Sequence, residues 1–203
     1  MKKTIWIIRH GETKLNALNI VQGQKMNEPL NDKGRQQALQ FWAKYRHEPF
    51  DLVLYSNLIR SQQTVLPFLT AGVQATELED LKEINWGINE GQPSCQEVTM
   101  RFSVLTDHWI NGNLDARIEN GESANELLAR ALCCVDYFQS VQRKKILVCS
   151  HGRTIRALVC LLLKRPLTDM EEFHHSNLGL YKFDFDGYEW QCTHSNDTSH
   201  LIL

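Results

Sequence analysis

Several things are missing from this 203-residue chain, and each absence excludes something. No internal repeat and no stretch rich in proline, glycine or serine breaks it, so no linker is visible and a single domain over 1–203 is expected. At this length roughly 70% of the unfolded chain's surface can be buried, enough for a core without staples. Neither sign of charge dominates: 22 Lys+Arg against 24 Asp+Glu leave a net charge of −2. That removes the basic surface that nucleic acid or an anionic membrane attracts, so neither partner is expected. The six cysteines contain no C-x-x-C pair, which removes zinc-ribbon and thioredoxin-like sites. Cys149 and Cys160 lie in apolar runs and read as small core residues, and a reduced, cytoplasmic compartment fits. Long apolar runs are also absent. The longest late one, Ala157 to Leu163, is far short of the about 20 residues that span a bilayer. Ile5 to Ile8 ends at Arg9, short of the about 7 residues an export leader needs, so no export is expected.

What is present alternates. Thr4–Ile8, Asp51–Tyr55 and Ile146–Cys149 are short apolar runs that predict buried strands, with Val73–Leu78 as a further strand. Asn31–Arg46, Leu58–Leu69, Glu122–Gln142 and Arg153–Lys164 predict helices, with Asn31 as a cap and Pro166 as a stop. Leu178–Phe185 and Tyr188–Cys192 predict a hairpin around Asp186-Gly187. The expected fold is α/β, a three-layer α/β/α sandwich with a mostly parallel, mixed central sheet and a small helical insertion. Residues 92–120 have weak periodicity and are expected to form that insertion, as a helix or a lid.

One local pattern occurs twice. The strand Ile5–Ile8 leads into Arg9-His10-Gly11-Glu12-Thr13, and Ile146–Cys149 leads into Ser150-His151-Gly152-Arg153-Thr154. Ligands of open α/β sheets bind beyond the carboxyl ends of the strands, so two imidazoles are expected to face one pocket. Glycine after each histidine permits a sharp exit and lets backbone amides approach a ligand. Arg9, beside His10, and Arg60, just past the second strand, point to phosphate, whose oxygens match guanidinium forks. The last predicted helix opens with Arg153 and Arg156 where a helix N-terminus favours acids, which reads as room left for a phosphate. Arg153 has no nearby partner in sequence and is expected at the rim, holding a second anionic group of the substrate. A proton donor is expected within Leu81–Gly91, and the residues alone leave Glu83 and Glu90 open.

In order along the chain stand R-H-G-E-T at 9–13, Asn16, Q-G at 22–23, P-L-x-x-x-G at 29–34 and Gln37-Ala38. D-x-x-x-x-S at 51–56 follows, with Arg60 and Thr64, then L-x-E-x-x-x-G at 81–87, Glu90-Gly91, G-E-S at 121–123 and S-H-G at 150–152. From Arg9 to about Asn177 the chain resembles the histidine phosphatase superfamily, the phosphoglycerate-mutase-like proteins. The resemblance implies that His10 takes the phosphoryl group as a phosphohistidine. It implies that Arg9, Arg60 and His151 hold the phosphate oxygens, and that Asn16, Gln22, Gly23 and Gly152 line the pocket. Glu83 then matches the general acid. No metal and no cofactor is implied, and the partner is a small phosphorylated metabolite. The stretch Ile20–Gln24 is similar to fructose-2,6-bisphosphatase-like members. Departures are the slightly longer segment Gln24–Glu28, and Ser61-Gln62 where many members have Ala.

A phosphatase is the expected activity. A mutase is the alternative, although mutases of this family tend to be longer with a closing tail. A catalytically inactive phosphate-binding or scaffold protein is the third reading, against which stand His10, Arg9, Arg60, Glu83 and His151. His174-His175 reads as a polar loop and His194 and His200 as part of a loose C-terminus, because neighbouring residues of a strand point to opposite faces and chelate poorly. Cys133-Cys134 reads as helix packing.

Overall fold

The computed structural model describes residues 2–201. Its centre is β1 (Lys3–Arg9), in which Ile5, Trp6, Ile7 and Ile8 are all buried. Such a strand belongs in the middle of a sheet covered on both faces. It pairs in parallel with β4 (Lys145–Ser150), which pairs with β2 (Leu52–Tyr55) and through it with β3 (Ala75–Glu77). On the other side of β1 lies the antiparallel hairpin β5 (Leu180–Phe185) and β6 (Trp190–Asp197). The sheet order is β3-β2-β4-β1-β5-β6, so the sheet is mixed and mostly parallel, as expected.

Alternation along the strands makes two cores. Ile5, Ile7, Leu54, Ile146 and Val148 face α5 (Ala124–Ser140) and α6 (Gly152–Leu162) through Leu127, Phe138, Ile155 and Leu158. Trp6, Ile8, Val53 and Leu147 face α2 (Asp32–Tyr45) and α3 (Ile59–Thr70) through Phe41, Val65 and Phe68. Caps fix where two of these helices begin. The Asn31 side chain accepts from Gly34 N at 2.8 Å, and Ser123 and Glu126 form a reciprocal capping box. Lys3, 6% exposed, closes the other end of α5: its ammonium donates to the carbonyls of Phe138, Gln139 and Val141 at 2.8, 2.6 and 2.5 Å.

The segment 92–120 contains α4 (Gln96–Ile110). Only Val98, Leu105 and Trp109 of that helix are buried, which is why its period is faint in the sequence. A short helix, α1 (Lys14–Ala17), capped by Thr13, had no sequence signal of its own. The C-terminus differs from expectation. β6 runs on to Asp197, taking in His194, and His200 is 5% exposed with its ring 5.0 Å from that of Phe41. As an edge strand, β6 has Trp190 as its one buried residue, so its polar sequence concealed how far it runs beyond Cys192.

Candidate active site

The register of β1 against β4 builds the centre of the site. Ile8 pairs with Cys149 and Arg9 with Ser150, and the ladder continues with a bond from His10 N to Ser150 O at 3.1 Å. The next residues on the two strands are therefore His10 and His151, with ring centroids 5.0 Å apart. The two H-G turns meet because two parallel neighbours end together.

Hydrogen bonds assign the tautomers. His10 Nδ1 lies 2.7 Å from Gly11 O, which only accepts, so Nδ1 carries the proton and Nε2 the lone pair. Arg60 Nε donates to His151 Nδ1 at 3.2 Å, so the proton of His151 sits on Nε2, which donates to Ser56 Oγ at 2.6 Å. Burial, and then the field of Arg60, holds both imidazoles well below their ordinary value, with Arg9 adding to the effect. Both rings are neutral at pH 7. Arg60 is fully buried, with Nη1 donating to Met26 O at 2.7 Å and Nη2 to Gly23 O at 3.1 Å. Burial lowers its value to about 10, so it stays cationic at neutral pH. Arg9 donates through Nη1 to His175 O at 2.9 Å, and its Nε is buried with no acceptor among the described residues.

Glu83, 6% exposed, sits at the start of α6. Its Oε1 accepts from Ile84 N at 2.9 Å and from Arg153 N at 3.1 Å, with Thr154 N at 3.3 Å. The helix N-terminus expected to leave room for a phosphate is thus occupied by the carboxyl group of Glu83. Glu90 is engaged elsewhere, taking Lys25 N at 2.9 Å and Trp86 N at 3.0 Å, and burial raises its value. Arg153 corrects a second expectation. It is 9% exposed, pairs with Glu171, and its guanidinium lies 5.4 Å from the Trp86 ring and 5.2 Å from the Trp109 ring. It is a buried, partnered residue, because Glu171 arrives from a segment 18 residues downstream.

The glycines after the histidines serve packing. A Cβ on Gly11 would stand 2.6 Å from Gly34 O of α2, and one on Gly152 would stand 2.9 Å from the His175 ring. Gly11 N donates to Thr64 Oγ1 at 2.9 Å rather than pointing at open space. Gln22 accepts from Thr13 Oγ1 at 2.8 Å, and its Nε2 is buried without a partner among the described residues. Asn16 and Arg9 line a cavity of about 390 Å³ together with Asn19, Val21, Phe102 and Asn177. The structure therefore brings His10, His151, Arg9, Arg60 and Glu83 around one point, with Asn16, Gln22 and Gly23 beside them.

Three residues were given no role in the site from the sequence. Asn177 donates to His10 O at 2.9 Å and to Asn16 Oδ1 at 3.4 Å. Ser56 orients His151, and its place at the end of β2 was the available signal. His175, read as loop, is held at about 3, chiefly by burial and then by Arg9.

An open α/β sheet that gathers two neutral imidazoles and two arginines at the carboxyl ends of its strands makes an anion site with a nitrogen nucleophile available. Comparison with known proteins names the class. The model of the histidine phosphatase superfamily (branch 1) matches residues 5–198, and the chain belongs to that superfamily. It is 29% identical over 206 residues to the Yersinia pestis (strain Pestoides F) protein named "Probable phosphoglycerate mutase GpmB", covering 98% of this chain and 95% of that one. Among solved structures it is similar to a candidate alpha-ribazole-5'-P phosphatase of Escherichia coli K-12, with TM-score 0.84, 25% identity and 99% of each chain covered. It is also similar to an Entamoeba histolytica phosphoserine phosphatase in complex with 3-phosphoglyceric acid, with TM-score 0.80, 25% identity, and 98% of this chain and 100% of that one covered.

Proposed function

We propose that the protein is a phosphatase of small phosphorylated metabolites that works through a phosphohistidine on His10. The observation that carries this reading is the His10 tautomer: Nδ1–H is tied to Gly11 O, so the Nε2 lone pair is free in a ring kept neutral by burial and by Arg60. In the proposed reaction Nε2 attacks phosphorus and the ester P–O bond breaks towards the leaving oxygen. Arg9 and Arg60 stabilise the charge on the transferring group. Glu83 is the proposed acid, giving its proton to the leaving oxygen. Water then attacks phosphorus, the N–P bond breaks back to Nε2, and Glu83 recovers a proton from that water. The field of Glu83 acts on both Arg9 and Arg60, at Arg60 ahead of that of Glu90, which supports Glu83 as the acid.

Hydrolysis of p-nitrophenyl phosphate by wild type and by His10→Ala tests the reading. Loss of about 10³-fold or more in the variant is expected for a missing nucleophile. Near-wild-type turnover in His10→Ala, or none in the wild type, overturns it. The name of the Yersinia relative supplies a second reading, a phosphoglycerate mutase. Interconversion of 2- and 3-phosphoglycerate with a bisphosphate primer, faster than release of inorganic phosphate, would favour it.

A further inference from the structure

We propose that the group bearing the phosphate is uncharged and hydroxylated, a polyol, sugar or nucleoside rather than a carboxylic acid; this rests on the phosphatase reading above. The cavity beside Arg9, about 390 Å³, has the size of a small-molecule site. Among the described residues that line it, Arg9 alone is charged. One wall is built from two chain segments laid side by side, with Val21 N donating to Gln92 O and Ser94 N to Asn19 O, both at 2.9 Å. The side chains of Asn19, Ser94 and Thr99 line the cavity, and among the described residues none of the three is hydrogen-bonded to another protein group. Asn16 and Asn177 also line it, and its apolar part includes Val98 and Phe102, whose ring stands edge-on to Trp86 at 4.8 Å.

Such a lining discriminates by charge. A hydroxyl leaving water finds amides and hydroxyls to bond, and a ring or carbon chain finds Phe102. A carboxylate or second phosphate finds no counter-charge among the cavity's lining residues beyond Arg9, which the reacting phosphate already uses. Arg153, the cation that sequence placed at the rim, is committed to Glu171 and the two tryptophans.

Glycerol 3-phosphate and 3-phosphoglycerate test this directly, since they differ by CH₂OH against carboxylate. The wild type should hydrolyse glycerol 3-phosphate with kcat/KM about tenfold or more above that for 3-phosphoglycerate. Equal efficiencies, or a preference for the acid, overturn the proposal. Thr99→Lys places a cation in the cavity and should shift the ratio towards the acid by about tenfold. The ratio cancels any loss of folded protein, and an unchanged ratio overturns the role given to this cavity. A wild type that hydrolyses neither ester nor p-nitrophenyl phosphate refutes the phosphatase reading, and this proposal with it.

Discussion

Glu171 shows how much one residue settles. It pairs with both Arg153 and Arg156, and it turns what looked in sequence like a free cation into part of the frame under α6. No spacing rule could pair residues 18 apart across a turn and a 3₁₀ segment, whereas the R-H-G and S-H-G motifs were legible because each sits directly after its strand. Glu171→Gln leaves two guanidinium groups facing each other without a carboxylate. With Glu171 about a third exposed, a loss at the low end for a broken ion pair is expected, about 2–3 kcal/mol by urea unfolding. A change below a few tenths would show that the pair is merely a surface contact. Glu83→Gln acts on chemistry instead. If Glu83 is the acid, kcat/KM should fall most for alkyl phosphates, whose leaving oxygen needs a proton, and least for p-nitrophenyl phosphate. Equal losses on both esters, with Glu90→Gln the more selective variant, would move the role to Glu90.

Among the elements, the ends matter most. The buried strands and the cap at Asn31 were readable, because continuous apolar runs and capping residues are local signals. The bounds of α4 and the run of β6 beyond Cys192 were not, because one buries three residues of a weakly periodic insertion and the other is an edge strand fixed by pairing with β5. α2 approaches the loop after His10 at two glycines, Gly11 and Gly34. A Cβ on Gly34 would meet Glu12 O at 2.1 Å, so only glycine lets the helix lie that close. Gly34→Ala must push α2 from the Gly11-Glu12 backbone. A loss of about 1–3 kcal/mol is expected, together with a lower kcat from displacement of His10. A variant as stable and active as wild type would show that the approach is dispensable. At the opposite end of the sheet, Lys3→Met removes three hydrogen bonds from the C-terminus of α5. The expected cost is about 2–3 kcal/mol in chemical denaturation, with the leftover carbonyls as the cause. A variant of unchanged stability would show that water replaces the ammonium there.

The whole molecule stores its chemistry as buried, neutral imidazoles. His10 and His151 lie well below the ordinary histidine value and His175 at about 3, while the unfolded chain titrates near 6.5. Below about pH 6.5 the unfolded state therefore binds more protons than the folded one. Stability is full above that pH and falls on acidification, by up to about 1.4 kcal/mol per pH unit for each such histidine. Urea midpoints at pH 7.5 and 5.5 should show the decrease, and a midpoint that rises at pH 5.5 would mean these rings are charged in the folded state. The same neutrality is what makes His10 a nucleophile in this account. The most direct measurement is rapid acid-free quenching of the enzyme during turnover of a ³²P-labelled phosphomonoester, followed by mapping of the labelled peptide. The account predicts one base-stable, acid-labile phosphoramidate on His10, absent in His10→Ala. Label on any other residue, or turnover with no labelled enzyme under conditions that trap such an intermediate, would contradict it.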